Sequence, residues 1–247
     1  MKEEIEISVV LPAHNEAERI AEAVKQTRES FDKISSSFEI LIAEDGSTDG
    51  TAEIASHIAS EDPLVRHIHS DSRLGRGKAL NHAFKAAKGS ILMYMDVDLS
   101  TDLAYVTPLI NAIKEEHYDF ATGSRMLKDS NVKRSFKREA MSTIFNFLVR
   151  IILKSNIKDH QCGFKSFRKD ALMRILSEIE DEHWFWDTEL LVRAQRNGYK
   201  VKEIPVKWGD KGGAGTKVKA FSDATTMFSK IIKLCYQLER EKKKKNK

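Results

Sequence analysis

Four short apolar runs punctuate the first hundred residues, at 5–11, 38–43, 65–69 and 91–95. A helical pattern separates each from the next. Residues 15–30 carry apolar side chains at Ile20, Ala23 and Val24. Residues 48–60 open on the helix-start signal Ser47-Thr48-Asp49-Gly50-Thr51, and residues 77–88 are rich in Ala, Leu and Phe. Strands alternating with helices predict a mostly parallel sheet covered on both faces, an α/β fold. Ligands of such sheets sit outside the carboxyl ends of the strands. The segments leaving the strands are Pro12-Ala13-His14-Asn15-Glu16, Glu44-Asp45-Gly46-Ser47 and Asp96-Val97-Asp98. All three are polar or acidic, and the topology predicts that they gather on one edge.

The third segment carries the sharpest chemistry. On extended backbone alternate side chains share a face, so Asp96 and Asp98 point together and Val97 points back. Two hard oxygen donors at a strand end suit Mg²⁺ or Mn²⁺, which bind through one or two carboxylates plus substrate phosphates. That places a nucleotide near residue 96. The pair alone is equally what a strand end turning to solvent looks like. No Gly-x-Gly-x-x-Gly turn follows the first strand, and Gly75-Arg76-Gly77-Lys78 lacks the upstream Gly and the Ser/Thr of a phosphate-binding loop. A dinucleotide fold and a nucleoside-triphosphatase are therefore not expected.

The second half is organised differently. A short strand at 119–122 leads into Gly123-Ser124-Arg125. Residues 132–153 read as one long helix, basic early (Lys133, Arg134, Lys137, Arg138) and apolar later (Ile144, Phe145, Phe147, Leu148, Ile151, Ile152). Helices are expected at 169–180 and 187–197, a strand at 200–208, then a Gly-rich loop and a second amphipathic stretch at 220–238. At 247 residues, 41% hydrophobic and 32% charged, the chain fits one large domain. Cys162 and Cys235 make neither a disulfide framework nor a metal-ligand spacing, which suits a reduced, cytoplasmic setting. The charged N-terminus has no leader-like apolar core, and no stretch reaches the roughly 18–20 apolar residues that span a bilayer. The net charge of +4 concentrates at 133–138 and in the lysine-rich tail, modest enough that nucleic acid is not an expected partner. The histidines show no His-x-x-x-His or Cys/His grouping.

In order, Val9-Val10-Leu11-Pro12-Ala13-His14-Asn15-Glu16, Glu44-Asp45-Gly46-Ser47-Thr48-Asp49-Gly50-Thr51, Asp96-Val97-Asp98, Gly123-Ser124-Arg125, Cys162-Gly163-Phe164-Lys165 and Trp186-Asp187-Thr188-Glu189-Leu190 span most of the chain. This ordered set resembles the family 2 glycosyltransferases of the GT-A fold, and within them the polyprenyl-phosphate (dolichyl-phosphate) glycosyltransferases. Arg76-Gly77-Lys78 is closer to the dolichyl-phosphate glucosyltransferase branch than to the mannosyl branch. The resemblance implies one glycosyltransferase domain over 1–240, with a nucleotide-binding half (1–100), an acceptor-binding half (101–240) and a basic tail (241–247).

It also implies roles. Pro12, Ala13, His14 and Glu16 would line the nucleoside pocket, with Glu16 near the ribose; the family often has Tyr at His14. Asp45, preceded by Glu44 where the family commonly has a second Asp, would accept a hydrogen bond from the base. Arg76, Gly77 and Lys78 would make an anion site at a helix start. Asp96, Val97 and Asp98 would hold the metal and diphosphate. Arg125, Arg134 and Arg138 are candidates for the acceptor phosphate, since guanidinium presents a planar fork to phosphate oxygens. Asp187 or Glu189 occupies the region where many relatives keep a general base. A lipid monophosphate, with a second pKa of about 6, is already anionic and needs no strong base. Lys211 and Lys217 would close over the diphosphate.

Plainer readings stand beside these. Asn15 would cap a helix with Glu16 in its first turn, Asp45 would be a turn residue, and the other cations would be solvated or snorkelling. The stretches 132–153 and 220–238 would either pack as core or lie in the headgroup plane of a membrane, aided by the basic tail.

The expected activity is inverting, metal-dependent transfer of a hexose from a nucleotide sugar, UDP-glucose ahead of GDP-mannose, to a polyprenyl monophosphate. The enzyme would be peripheral on the cytosolic face of a membrane. Two rivals remain: a glycosyltransferase acting on a soluble or polysaccharide hydroxyl, and a non-catalytic peripheral protein that binds nucleotide sugar or lipid. A processive synthase lacks its Gln-x-x-Arg-Trp sequence here, and a sugar-nucleotide pyrophosphorylase lacks its glycine-rich loop.

Overall fold

The structure, a computed structural model, describes residues 4–35, 37–209 and 220–245. In chain order the elements are β1 (Ile7–Ala13), α1 (Ile20–Phe31), β2 (Phe38–Glu44), α2 (Thr51–Glu61), β3 (Val65–Ile68), α3 (Arg76–Ala86), β4 (Ile91–Met95), α4 (Val106–Lys114) and β5 (Phe120–Ser124). There follow β6 (Asn131–Lys133), α5 (Phe136–Ile152), β7 (Phe164–Arg168), α6 (Lys169–Leu176), α7 (Trp186–Arg196), β8 (Val201–Pro205), β9 (Lys207–Gly209) and α8 (Ala220–Lys245).

Seven strands form one sheet in the order β3-β2-β1-β4-β7-β5-β8. All run the same way except β7, which lies antiparallel between β4 and β5. The mostly parallel sheet is as expected, and the central strands β1, β2 and β4 are buried on both faces, which is why they read as largely apolar runs, whereas the edge strands β3 and β8 are only partly buried. Alternate residues separate the two cores. Val9, Leu11, Ile40, Ile42 and Met93 pack with α1 and α4 on one face. Val10, Leu41, Leu92 and Tyr94 pack with α3, α6 and α7 on the other. A third cluster joins α5, α7 and α8 through Val149, Phe185, Val192, Ile231 and Leu234.

Several expected boundaries move. The helix read over 132–153 is in fact β6 followed by α5, so Lys133 lies in a strand and Arg134 in the turn before the helix. The strand read over 200–208 breaks after Pro205, and β9 leaves the main sheet to pair with β6. A proline has no N–H to continue a ladder, so the break falls where the hydrogen-bonding pattern fails. The motif strand β7 carries no expectation of its own. It is needed because β4 and β5 do not touch and something must satisfy their facing edges. Helix α8 runs on through the lysines to Lys245, beyond the expected end at 238.

Candidate active site

The exits of β1 and β2 are tied together by side chains that the sequence left as loop residues. Asn15 adopts φ +53° instead of capping α1, and its backbone N–H donates to Ser47 Oγ while its own Oδ1 accepts from Thr48 N–H. Glu16 N–H donates to Thr51 Oγ1, Ala17 N–H to Asp49 Oδ2, and His14 Nδ1 contacts the Asp45 carbonyl at 2.7 Å. Pro12–Glu16 and the 44–51 loop therefore form one rim. Ala13 is buried, whereas His14 and Glu16 are partly open; Glu16 also lies 3.6 Å from Arg19.

Asp45 faces inward. Its two oxygens accept from the N–H groups of Leu74 and Gly75, at 2.5 and 3.0 Å, holding the loop that delivers Arg76. Gly75 sits at φ +100°, and an added Cβ would meet the Glu182 carbonyl at 2.5 Å. The start of α3 is not presented to an anion, contrary to expectation: the N–H groups of Gly77 and Lys78 both donate to Glu182 O, and Lys78 Nζ pairs with the Glu182 carboxylate at 3.1 Å.

Arg76 turns into the protein. Its guanidinium donates to Asp96 Oδ1 and to Asp187 Oδ2, both at 2.7 Å, between the rings of Tyr94 and Trp184. Asp187 accepts further from Lys165 Nζ at 2.8 Å and from the Tyr94 hydroxyl. Lys165, fully buried on β7, also donates to the Cys162 carbonyl and to Tyr94 Oη. All three ammonium donors are thus used. Burial works to raise the Asp187 carboxyl, but Lys165 and Arg76 overcome it and hold that group below the ordinary carboxylate range. A buried, fully bonded and ionised Asp187 orients Arg76; it is not an open base. Glu189 is likewise committed, to Arg193 Nε at 2.8 Å and to the N–H groups of Glu180 and Asp181.

The tip of β4 opens into a cleft of roughly 390 Å³, its open mouth included, lined by Asp96, Asp98, Arg125, Gly163, Phe164 and Trp208 among others. Val97 is buried and Asp98 exposed, but the backbone here is not the extended strand expected: β4 ends at Met95 and the Leu99 N–H closes a turn on the Asp96 carbonyl. Asp98 Oδ1 accepts from Ser100 N–H at 2.9 Å. Asp96 keeps 42% of its side chain open, yet its backbone N–H is fixed by Gly163 O and its carboxylate rests on Gly163, where a Cβ would come within 1.8 Å of Oδ2. Burial pushes the Asp96 carboxyl up, Arg76 opposes it, and Asp98 adds repulsion. Around this tip three cations, Arg76, Arg125 and Lys165, face four carboxylates, Asp96, Asp98, Asp159 and Asp187. That surplus of negative charge, in hard oxygen donors at a cleft, fits a divalent cation such as Mg²⁺ or Mn²⁺.

Arg125 reaches the same cleft from the end of β5. It is gripped by Asp159, with Nε to Oδ2 at 2.7 Å and Nη2 to Oδ1 at 2.9 Å, and lies over Trp208. Its charge is neutralised from behind. Arg134 is different: among the described residues Nη2 meets the Met126 sulfur at 3.8 Å, and its buried Nε has no hydrogen-bond partner. Burial and the neighbouring Arg125 push its pKa down. Arg138 is half-buried in the first turn of α5. Lys211 and Lys217 lie outside the described residues. Sequence reasoning missed Tyr94, Asp159, Gly163, Lys165 and Trp208 as site builders. Only Gly163 and Lys165 carried a signal, as members of the Cys162-Gly163-Phe164-Lys165 motif.

A family model described as Glycosyl transferase family 2 matches residues 8–176. Glycosyltransferase AglD of Haloferax volcanii is 48% identical over 236 residues, 95% of this chain, and the chain spans 38% of that protein's length. The dolichyl-phosphate beta-glucosyltransferase of Saccharomyces cerevisiae is 32% identical over 258 residues, covering 96% of this chain and 76% of its own. That of Dictyostelium discoideum is 30% identical over 246 residues, covering 94% and 75%. Among solved structures, glucosyl-3-phosphoglycerate synthase from Mycobacterium tuberculosis, in complex with Mn²⁺, UDP and glucosyl-3-phosphoglycerate, superposes with a TM-score of 0.67 at 20% identity over 94% of this chain and 80% of that one. That likeness is one of fold.

Proposed function

The chain belongs to glycosyl transferase family 2, and from that premise we propose that it transfers a hexose from a nucleotide sugar, UDP-glucose first and GDP-mannose second, to a polyprenyl monophosphate with inversion. A phosphate oxygen of the acceptor forms the new bond to the anomeric carbon. The bond from that carbon to the nucleoside diphosphate breaks on the opposite side, and its electron pair leaves with the diphosphate. A divalent cation held by Asp96 and Asp98 would offset the leaving group's charge. Glu16 and the rim around it would hold the nucleoside. Arg125 and Arg134 would orient the incoming phosphate.

One observation carries the choice of acceptor. Asp187, the carboxylate a hydroxyl acceptor would call on, is sealed beneath Arg76 with both oxygens occupied. An acceptor that arrives already ionised does not require it. The surroundings of Arg134 agree. This under-bonded cation immediately precedes α5, whose outward face carries Phe136 (85% exposed), Ile144, Phe147 and Ile151; Phe228, Ile232 and Tyr236 are exposed on α8. A phosphate head and a hydrocarbon tail would be satisfied by neighbouring surfaces. Among the described residues no helix is long and apolar enough to cross a membrane; it is the exposed apolar faces of α5 and α8 that support contact with a bilayer surface.

The test is incubation with labelled UDP-glucose or GDP-mannose, Mn²⁺ or Mg²⁺, and polyprenyl phosphate in vesicles, in parallel with soluble hydroxyl acceptors. Label extracted with the lipid, and lost with chelator, is the expected outcome. Label appearing only on a soluble acceptor would overturn the acceptor assignment, and no transfer from any donor would favour a binding protein.

A further inference from the structure

The chain leaving β2 and β3 places a second group of ligand-type side chains away from the β4 tip. We propose that Glu44, His67 and His69 form a site for a borderline divalent transition metal, Zn²⁺ by preference, distinct from the Asp96–Asp98 pair. The parallel register sets His67 beside Ile42, and one pleat further on Glu44 falls beside His69. Alternation then puts all three on one face of the sheet. One donor atom from each lies within 4.8 Å of the other two.

His67 Nε2 is buried without a hydrogen-bond partner, 3.9 Å from Glu44 Oε2. A buried polar nitrogen left unpaired is costly, and a metal would satisfy it. His69 Nδ1 stands 2.5 Å from the same oxygen, and its Nε2 faces Asp71 Oδ1 at 3.3 Å. A carboxylate behind a ligating imidazole is the usual means of fixing the ring's tautomer and orientation. Two imidazoles and a carboxylate suit Zn²⁺ and leave a fourth position for water. Donors about 2.0–2.2 Å from a tetrahedral ion stand about 3.4 Å apart. The His69–Glu44 contact would open and the His67–Glu44 contact would close; His69, 46% exposed, has room to move. On binding, the proton between His69 Nδ1 and Glu44 goes to solvent.

The position suggests what such an ion does. Glu44 Oε1 accepts from Ser47 N–H, and the next residue, Asp45, holds Leu74 and Gly75. An ion there would fasten the end of β2 to the segment that runs from His69 to Arg76. None of this depends on which donor or acceptor the enzyme uses.

Chelator-treated full-length chain titrated with Co²⁺ should develop the visible bands of tetrahedral Co²⁺ at one equivalent, and Zn²⁺ should bleach them while Mg²⁺ does not. Asp98→Asn, whatever its transfer activity, should take up Co²⁺ with the same tetrahedral bands as the wild type. His67→Gln and His69→Ala should lose the bands and weaken Zn²⁺ binding by about a hundredfold; melting curves of His69→Ala, at a half-exposed position, check that the fold is intact. Zn²⁺ should also slow amide exchange over residues 69–76. Absence of stoichiometric uptake, uptake unchanged in His69→Ala, or loss of uptake in Asp98→Asn instead would each overturn the site.

Discussion

The rim formed by the exits of β1 and β2 is closed by its own hydrogen bonds, with Asn15, Ser47, Thr48, Asp49 and Thr51 answering one another across two loops. The α5–α8 end is the opposite: large apolar side chains stand in solvent and Arg134 lacks a partner for its buried Nε. One end is finished without a ligand; the other presents groups whose natural complements are a phosphate and an apolar phase. The contrast teaches that rigidity and incompleteness are distributed by task. A site that grips a small polar molecule benefits from preorganised donors. A surface that meets lipid must stay open until it docks.

The comparison can be broken in several places. The largest effect should come from Asp98→Ala. Losing a metal-binding carboxylate removes several kcal/mol of charge stabilisation, so transfer should fall about a hundredfold or more. Melting should not change, because Asp98 is exposed and, among the described residues, its side chain accepts from the Ser100 N–H alone. Initial rates and thermal melts measure both; full activity with chelator present would sink the metal assignment.

Gly163→Ala comes next. The new methyl has no space beside Asp96, so the variant should lose about 1–3 kcal/mol of stability and at least tenfold in rate. A variant that melts and turns over like the wild type would show that Asp96 is free to move.

Arg134→Ala should raise the KM for lipid phosphate about tenfold and leave the donor KM alone, since hydrogen bonds to charged groups contribute about 1.5–3 kcal/mol. Its stability should hold or rise, because an orphaned buried guanidinium nitrogen is removed. A destabilised variant with unchanged KM would return Arg134 to the role of a packing residue.

Phe147→Asp, on the exposed face of α5, should weaken co-sedimentation with vesicles about tenfold while melting stays unchanged. Equal vesicle binding would leave that face without a membrane role.

The last effect is a pH slope from a buried histidine packed against α5. His160 is buried, bonded to Ser155 and Asn146, and burial pushes its pKa down to about 3. The unfolded chain takes up a proton below its ordinary value of 6.5 and the folded chain does not. Stability is therefore whole above that pH and falls as pH drops toward 3. Melting temperatures between pH 7 and pH 4, on the order of several degrees lower at the acid end, should lose part of this slope in His160→Gln.

Much of this protein was legible as a string. The alternation of apolar runs and helical patterns determined a mostly parallel sheet, and the apolar run ending at Met95 determined that an acidic pair leaves a strand end. Those features are local, set by backbone geometry over a few residues. The turn over 96–99 that places Asp96 and Asp98 there is not a continuation of the strand's period of two. The partnerships were not legible. That Arg76 turns inward to Asp96 and Asp187, that Asp187 is sealed by Lys165 and Tyr94, that Gly163 supports Asp96, and that His67 and His69 meet Glu44 are contacts between residues distant in sequence. Only the packed sheet decides them, because the desolvation of a buried charge depends on which neighbours the fold brings within about 3 Å, and no pattern along the chain encodes that distance.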